Sequence, residues 1–117
     1  MKTNLRKIPM STGWKYYSKL LQKKYRQKEQ KFLVEGVRLC HEALLSDWDV
    51  EVAFITPEFR DSGEWLPFQE LLKQKKIPTR VLVASNFKRL CATETPQGIV
   101  LAMPMKPQNL NRINLTK

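Results

Sequence analysis

The side chains that suggest chemistry in this sequence are cationic and aromatic, and they crowd into its first third. Five Lys or Arg residues and one Tyr fall within the nine residues 23–31. Lys and Arg neutralise phosphates, an Arg guanidinium forks onto a phosphate or a base edge, and a Tyr ring stacks on an unpaired base. We therefore predict nucleic-acid contacts along this stretch, on the helix before it and just after it, by Lys15, Lys19, Lys23, Lys24, Tyr25, Arg26, Lys28, Lys31 and Arg38.

The same stretch has a purely structural interpretation. Tyr25 would then belong to the core at the end of a helix, and the lysines would only be solvated. Both interpretations stay open on the sequence alone.

The charge is as uneven as the motif suggests. The 117 residues carry 21 Lys and Arg against 11 Asp and Glu, a net charge of +10. Residues 1–31 hold ten cations and one acid, residues 32–64 hold two cations and eight acids, and residues 65–117 hold nine cations and two acids. This asymmetry favours one basic face, and a net charge of this sign favours a polyanion partner.

Groups that usually perform catalysis or bind metals are sparse. The chain has one His, four isolated Gly, and two widely separated thiols, Cys40 and Cys91. No spacing fits a metal site, a phosphate-binding loop or an activated nucleophile, so we predict no catalytic residue and no metal. Two free thiols without a disulfide framework favour a reducing, cytoplasmic setting. No apolar run approaches the ~18–20 residues of a membrane span, so no membrane partner is predicted.

The hydrophobic pattern indicates which elements position these side chains. It predicts alternating helices and strands: a helix over 14–24, a loop over 25–30, a strand over 31–35, a helix over 37–45, a strand over 50–55, a helix over 63–76, a strand over 80–84, a short helix over 86–91 and a strand buried on both faces over 98–103. This order predicts an α/β sandwich with a mostly parallel sheet. Residues 1–13 are predicted as a basic arm, 14–104 as the folded domain and 105–117 as a linker.

An ordered set of motifs then resembles a known family. The run K-x-Y-R-Q-K-E-Q-K-F-L-V-E-G-V-R at Lys23–Arg38 is similar to the N-terminal substrate-binding domain of the SpoU/TrmH family of RNA 2′-O-ribose methyltransferases. That domain carries a basic helix, a strand ending in F-V-E-G, and later T-P-Q-G before an apolar strand. Here the latter two are Phe32–Gly36 and Thr95–Gly98, and the resemblance extends from Lys15 to Met103.

The resemblance implies more than the residues do. It implies a three-layer α/β/α sandwich with a central four-stranded, mostly parallel sheet, similar to kink-turn-binding ribosomal proteins. It implies structured rRNA or tRNA as the partner, with this chain as the part that binds RNA and has no cofactor of its own. S-adenosylmethionine, methyl transfer and homodimerisation would belong to a C-terminal SPOUT domain beyond residues 105–117. A free-standing RNA-binding protein of ribosomal type and a protein-interaction or dimerisation module remain as alternatives.

The motif residues also carry structural expectations. Glu35 at a strand end is expected to accept a hydrogen bond from Arg26 or Arg38. Gly36 is expected where the backbone makes a close approach or an unusual turn. Gln97 and Gly98 either expose backbone amides to RNA or only form the turn into the last strand.

Overall fold

The computed structural model of the protein describes residues 13–105, which are built around one four-stranded sheet. The sheet order is β1-β4-β2-β3. Its strands are β1 (Lys31–Glu35), β2 (Val52–Ile55), β3 (Thr79–Val81) and β4 (Ile99–Pro104). The predicted mixed α/β fold with four strands is therefore confirmed, although the arm 1–13 lies, except for Gly13, outside the described residues, as does the tail after Met105.

Six helices surround the sheet. They are α1 (Trp14–Ser18), α2 (Lys23–Glu29), α3 (Val37–Leu45), α4 (Pro57–Arg60), α5 (Trp65–Gln74) and α6 (Ala84–Phe87). Two short 3-10 turns, Lys19–Leu21 and Lys88–Leu90, follow α1 and α6. The predicted loop over 25–30 was wrong, because α2 covers most of it. Helix α2 buries none of its residues, so it lacks the apolar period by which a helix is recognised.

The prediction of a mostly parallel sheet was also wrong. Strand β4 pairs antiparallel with both β1 and β2, and only β2 and β3 pair parallel. The reason lies in the connection from β3 to β4, which contains α6, a 3-10 turn and a loop. This connection stays at the edge of the sheet where β3 ends, so β4 enters from that edge and runs against its neighbours.

The core has two parts, one on each face of the sheet. On the α3 face, Phe32, Ile55 and Leu101 pack with residues of α3, α4 and α5. On the α1 face, Phe54 and Val100 pack with residues of α1, α6 and the two 3-10 turns. Strands β1, β2 and β4 each contribute to both clusters because successive side chains point to opposite faces. Within residues 13–105 no helix has the length and apolar character needed to cross a membrane.

Strand β4 is deeply buried along most of its length. The five residues from Ile99 to Met103 are each at most 1 % exposed, which confirms the predicted strand buried on both faces. Gly98 leads into it with φ +99°. A Cβ at Gly98 would lie 2.8 Å from Phe59 Cβ and 3.0 Å from Thr56 Oγ1, so the start of β4 has no room for a side chain.

Replacing Gly98 by alanine should destabilise the fold. The left-handed backbone and the close contact with Phe59 both oppose a methyl group, so we expect Gly98→Ala to lower the free energy of unfolding by about 2–4 kcal/mol. Gly63→Ala is the matched control, because a Cβ there meets nothing within 4 Å. Its change should stay within about 0.5 kcal/mol. Urea denaturation of both variants measures the difference, and similar midpoints would contradict the account of Gly98.

Candidate nucleic-acid interface

The helices on the two faces differ in charge. Helices α1, α2 and α6 and the two 3-10 turns hold eight Lys or Arg residues and one Glu. Helices α3, α4 and α5 hold three cations and three carboxylates. Here α2 is counted with the α1 face because it packs on the Lys19–Leu21 turn. The excess positive charge therefore concentrates on the helices of one face.

Most of the predicted lysines lie exposed on this face. Those on α1, the first 3-10 turn and α2 are Lys15, Lys19, Lys23, Lys24 and Lys28. The half-buried ring of Tyr25 lies among them, with Lys19 Nζ 5.6 Å and Lys24 Nζ 5.2 Å from its centroid. The structure thus brings together a partly open aromatic ring and several exposed cations, which is an arrangement suited to phosphates and a base.

Arg26 has a different environment from these lysines. Its Nη1 donates hydrogen bonds to the carbonyl oxygens of Leu20 at 2.9 Å and Leu21 at 3.0 Å. These are carbonyls at the end of the first 3-10 turn, where the backbone lacks its own donors. Arg26 therefore fastens α2 to the preceding turn and fixes the angle at which α2 presents its lysines.

Lys31 is the centre of a hydrogen-bonded network at the start of β1. Its Nζ donates to the Tyr16 hydroxyl at 3.1 Å and to Glu51 Oε2 at 3.0 Å. Glu51 Oε2 also accepts the Tyr17 hydroxyl at 2.9 Å, and Glu29 Oε1 accepts the Tyr16 hydroxyl at 2.7 Å. The network connects α1, α2, β1 and the segment before β2, so Lys31 holds the cationic helices to the sheet.

The protonation states of this network favour the folded chain. Burial acts to lower the pKa of Lys31, but its hydrogen bonds to Tyr16 and Glu51 outweigh burial and raise that pKa above its usual value. Burial, with the Glu51 carboxylate beside it, raises the pKa of Tyr17. Burial and the hydrogen bond to Glu29 raise the pKa of Tyr16. At neutral pH Lys31 is therefore charged and both tyrosines are neutral.

Arg38 lies away from the other predicted contacts. It begins the exposed side of α3, with a side chain that is 94 % exposed, and its Nε is 3.7 Å from Glu42 Oε2. Lys31 is the first residue of β1, whereas α3 follows the last one. The two ends of β1 are about 13 Å apart at ~3.3 Å per residue. The predicted residues therefore form one cluster with Arg38 separate from it.

Glu35 has other partners than those expected. Its carboxylate accepts hydrogen bonds from the Ala92 amide at 2.7 Å and the Thr93 hydroxyl at 2.9 Å. The predicted bond from Arg26 or Arg38 was wrong, because Arg26 bonds to carbonyls near the other end of β1 and Arg38 faces Glu42. Glu35 instead fixes the loop before β4 to the end of β1.

Gly36 and Gln97 meet at the start of α3. The side-chain oxygen of Gln97 accepts a hydrogen bond from the Val37 amide at 2.6 Å. Gly36 has φ +104°, and a Cβ there would lie 3.4 Å from the same oxygen. Together they begin α3 and border a shallow cavity of about 450 Å³, whose other lining residues are Glu35, Arg38, Leu39, Glu42, Thr93 and Thr95.

Sequence patterns assign no functional role to Trp14 or Arg89, which the fold brings together. Arg89 Cζ lies 5.9 Å from the centroid of the Trp14 ring, and Lys15 Nζ also lies 5.9 Å from it. The packing of α1 against the Lys88–Leu90 turn makes this contact. Two adjacent cations in a short helix were visible in the sequence. The proximity of Arg89 to Trp14 is a tertiary contact, which no local sequence pattern predicts.

The two thiols do not suit nucleophilic chemistry. Burial raises the pKa of Cys40. Burial, with a smaller contribution from Glu35, raises the pKa of Cys91 to about 12. Both are therefore protonated at neutral pH. Within the described part of the chain, no three His, Cys, Asp or Glu side chains are grouped so that they could hold a metal ion.

Comparison with protein families identifies the family to which this four-stranded domain belongs. The family described as MRM3-like substrate binding domain matches residues 14–101, about three quarters of the chain. The chain belongs to this family. The resemblance to the substrate-binding domain of SpoU/TrmH methyltransferases, noted from Lys23–Arg38 and Thr95–Gly98, is thereby confirmed.

Solved structures share the fold. A putative RNA methyltransferase of the TrmH family from Porphyromonas gingivalis is 23% identical, with a TM-score of 0.58 over 86% of this chain. The SpoU methyltransferase AviRb from Streptomyces viridochromogenes, in complex with AdoMet, is 24% identical with a TM-score of 0.66 over 89%. An AdoMet-bound rRNA methyltransferase from Sinorhizobium meliloti is 17% identical with a TM-score of 0.62 over 83%.

The chain corresponds to only part of these proteins. It covers 37% of the P. gingivalis chain, 39% of AviRb and 35% of the S. meliloti enzyme. No curated protein matches the sequence.

The Lys31 network should make the protein sensitive to alkali. Lys31, Tyr16 and Tyr17 have higher pKa values in the folded chain than their ordinary values of 10.5, 10.0 and 10.0. Above pH 10 the folded chain keeps protons that the unfolded chain releases. The stability that the network contributes is therefore fully present below pH 10, and the free energy of unfolding falls as the pH rises further. Urea denaturation at a series of pH values measures this fall.

Glu51→Gln tests the origin of that fall. It should lower the free energy of unfolding at neutral pH by about 1–3 kcal/mol, because the charge-assisted bonds to Lys31 and Tyr17 weaken. It should also make the alkaline fall shallower. Glu42→Gln removes an exposed carboxylate on α3 and should follow the wild-type profile. An unchanged alkaline fall in Glu51→Gln would contradict the role of the network.

Proposed function

We propose that this domain binds the RNA substrate of a SpoU/TrmH-like RNA 2′-O-ribose methyltransferase through the helices of the α1 face. The observation that carries the proposal is the separation of charge, with eight cations against one carboxylate on those helices and three against three on α3, α4 and α5. A polyanion is attracted to the first set and not to the second. The charge distribution therefore supports a polyanion as the partner and its approach from the α1 face.

Within this face the residues have two kinds of role. We assign phosphate contacts to Lys15, Lys19, Lys23, Lys24 and Lys28, and base stacking to Tyr25. Arg26 and Lys31 position the helices that carry these residues, because their own donors bind backbone carbonyls and Glu51. Arg38 would provide a separate contact beyond the other end of β1.

The substrate class in this proposal is structured RNA, either rRNA or tRNA. Support comes from membership of a substrate-binding domain family and from the fold shared with an rRNA methyltransferase. The two core clusters on opposite faces of the sheet support the α/β/α layering expected of such a domain, with boundaries near residues 14 and 104. The free thiols at positions 40 and 91 support a reducing, cytoplasmic location.

Methyl transfer itself belongs to a separate catalytic domain in this proposal. S-adenosylmethionine would supply the methyl group there, and homodimerisation would also occur there. In the cavity beside Gly36 the Glu35 carboxylate accepts hydrogen bonds from Ala92 and Thr93, and Arg38 faces Glu42, so we assign no cofactor to it. We therefore derive no reaction step from residues 13–105. The 35–39% share of relatives' length that the chain covers supports a further domain.

The two alternatives are separated by simple observations. The coding sequence beyond Lys117 should continue into a catalytic domain, and a stop codon directly after it would favour a free-standing RNA-binding protein. A protein-interaction module would bind a protein partner and show no affinity for rRNA or tRNA fragments at low salt.

RNA binding should depend steeply on salt. With about four to six phosphate contacts, the logarithm of the affinity for rRNA or tRNA fragments should fall against the logarithm of salt concentration with a slope of about −3 to −5. Fluorescence anisotropy at several salt concentrations measures this slope. No binding at low salt would contradict the proposed function.

A pair of matched double variants locates the binding face. Lys24→Gln with Lys28→Gln should weaken binding and make the salt slope shallower by about 1.4–1.8, because two phosphate contacts are lost. Arg60→Gln with Lys73→Gln removes the same charge from the helices of the α3 face and should keep the wild-type slope. Equal losses in both double variants would show that total charge matters and the α1 face does not.

A further inference from the structure

Trp14 stands out among the three tryptophans by the charges around it. Its ring is half-buried, and the exposed cations Lys15 and Arg89 both lie 5.9 Å from its centroid. Trp48 is buried on the α3 face, and Trp65, also on that face, packs edge-on to Phe59 with ring centroids 6.0 Å apart. Trp14 therefore combines a partly open ring with flanking cations on the cationic side of the domain.

The two cations hold the Trp14 ring only loosely. A distance of 5.9 Å is near the ~6 Å limit of a cation–π contact, so each interaction is weak. Within residues 13–105 neither Lys15 nor Arg89 has a carboxylate at ion-pair distance. Among the described residues both cations are thus exposed without a paired carboxylate, and part of the Trp14 residue is exposed too.

We propose that Trp14 is a stacking site for an unpaired nucleobase, with Lys15 and Arg89 holding the adjacent phosphates. This inference rests on the proposed RNA-binding function and narrows it. Bases in a duplex are stacked on one another and are not offered to a protein ring, whereas looped or single-stranded RNA offers them. The substrate therefore presents at least one unpaired nucleotide to this face.

Tyr25 repeats the same arrangement on the same segment of chain. Its half-buried ring has Lys19 Nζ and Lys24 Nζ at 5.6 Å and 5.2 Å from its centroid. Stacking platforms for single strands combine aromatic rings with a basic groove in this way and tolerate any base. The two rings together favour a looped strand over a duplex as the ligand of the α1 face.

The test compares an oligouridylate of about 12 nucleotides, within the range that single-strand-binding folds cover, with an RNA duplex of similar length. Trp14→Leu should weaken oligouridylate binding by about five- to 150-fold, since one stacked base is lost. Its salt slope should not change, because no charge is removed. Arg89→Gln should instead make the slope shallower by about 0.7. Trp65→Leu, the same change on the α3 face, should bind as the wild type does.

Further measurements keep the result interpretable. Trp14→Tyr keeps an aromatic ring and should lose less affinity than Trp14→Leu, and circular dichroism checks that both variants fold. Oligouridylate should also quench tryptophan emission of the wild type and not that of Trp14→Leu. Unchanged oligouridylate affinity in Trp14→Leu, or an equal loss for the duplex, would overturn the stacking site while leaving RNA binding by the domain intact. Absence of wild-type binding to either RNA would overturn both proposals.

Discussion

The position of β4 between β1 and β2 is the constraint on which the rest of the structure depends. This strand is buried on both faces and hydrogen-bonds to a neighbour on each side, so it joins the two core clusters. Its ends also fix the ends of β1. At the first residue of β4, the Ile99 carbonyl accepts a hydrogen bond from the Gly36 amide at 3.2 Å, and just after β4 the Met105 amide donates to the Gln30 carbonyl at 2.8 Å. The glycine at position 98 is required because the entry into this strand leaves no space for a side chain.

The two ends of β1 then serve different parts of the surface. At its start, the Lys31 network attaches α1 and α2 to the sheet and so gives a fixed position to α2, which buries none of its own residues. At its end, Glu35 and Gln97 hold the loop before β4 and the first turn of α3. Residues that look alike in sequence thus separate into positioning groups, such as Arg26 and Lys31, and exposed cations. Tertiary packing adds Arg89 to those cations from a distant part of the chain.

Local patterns in the sequence were sufficient where burial is periodic. The strand over 31–35 and the helix over 37–45 have the predicted bounds, because buried positions recur at every second residue of the strand and lie on one face of the helix. Helix α2 was missed since a polar helix has no such period, and the direction of β4 was missed since strand order depends on contacts between distant residues. The cluster of lysines on α1 and α2 could be predicted because its members lie close together in the sequence. The link from Trp14 to Arg89 and the true partners of Glu35 could not.

The central claim is that RNA approaches the α1 face and leaves the α3 face uncovered. Nuclear magnetic resonance measures this most directly, through amide shift changes when an RNA containing an unpaired loop is added to the protein. The account predicts the largest changes in α1, α2 and the Lys88–Leu90 turn, with small changes in α4 and α5. A footprint centred on α4 and α5, with α1 and α2 unchanged, would contradict it.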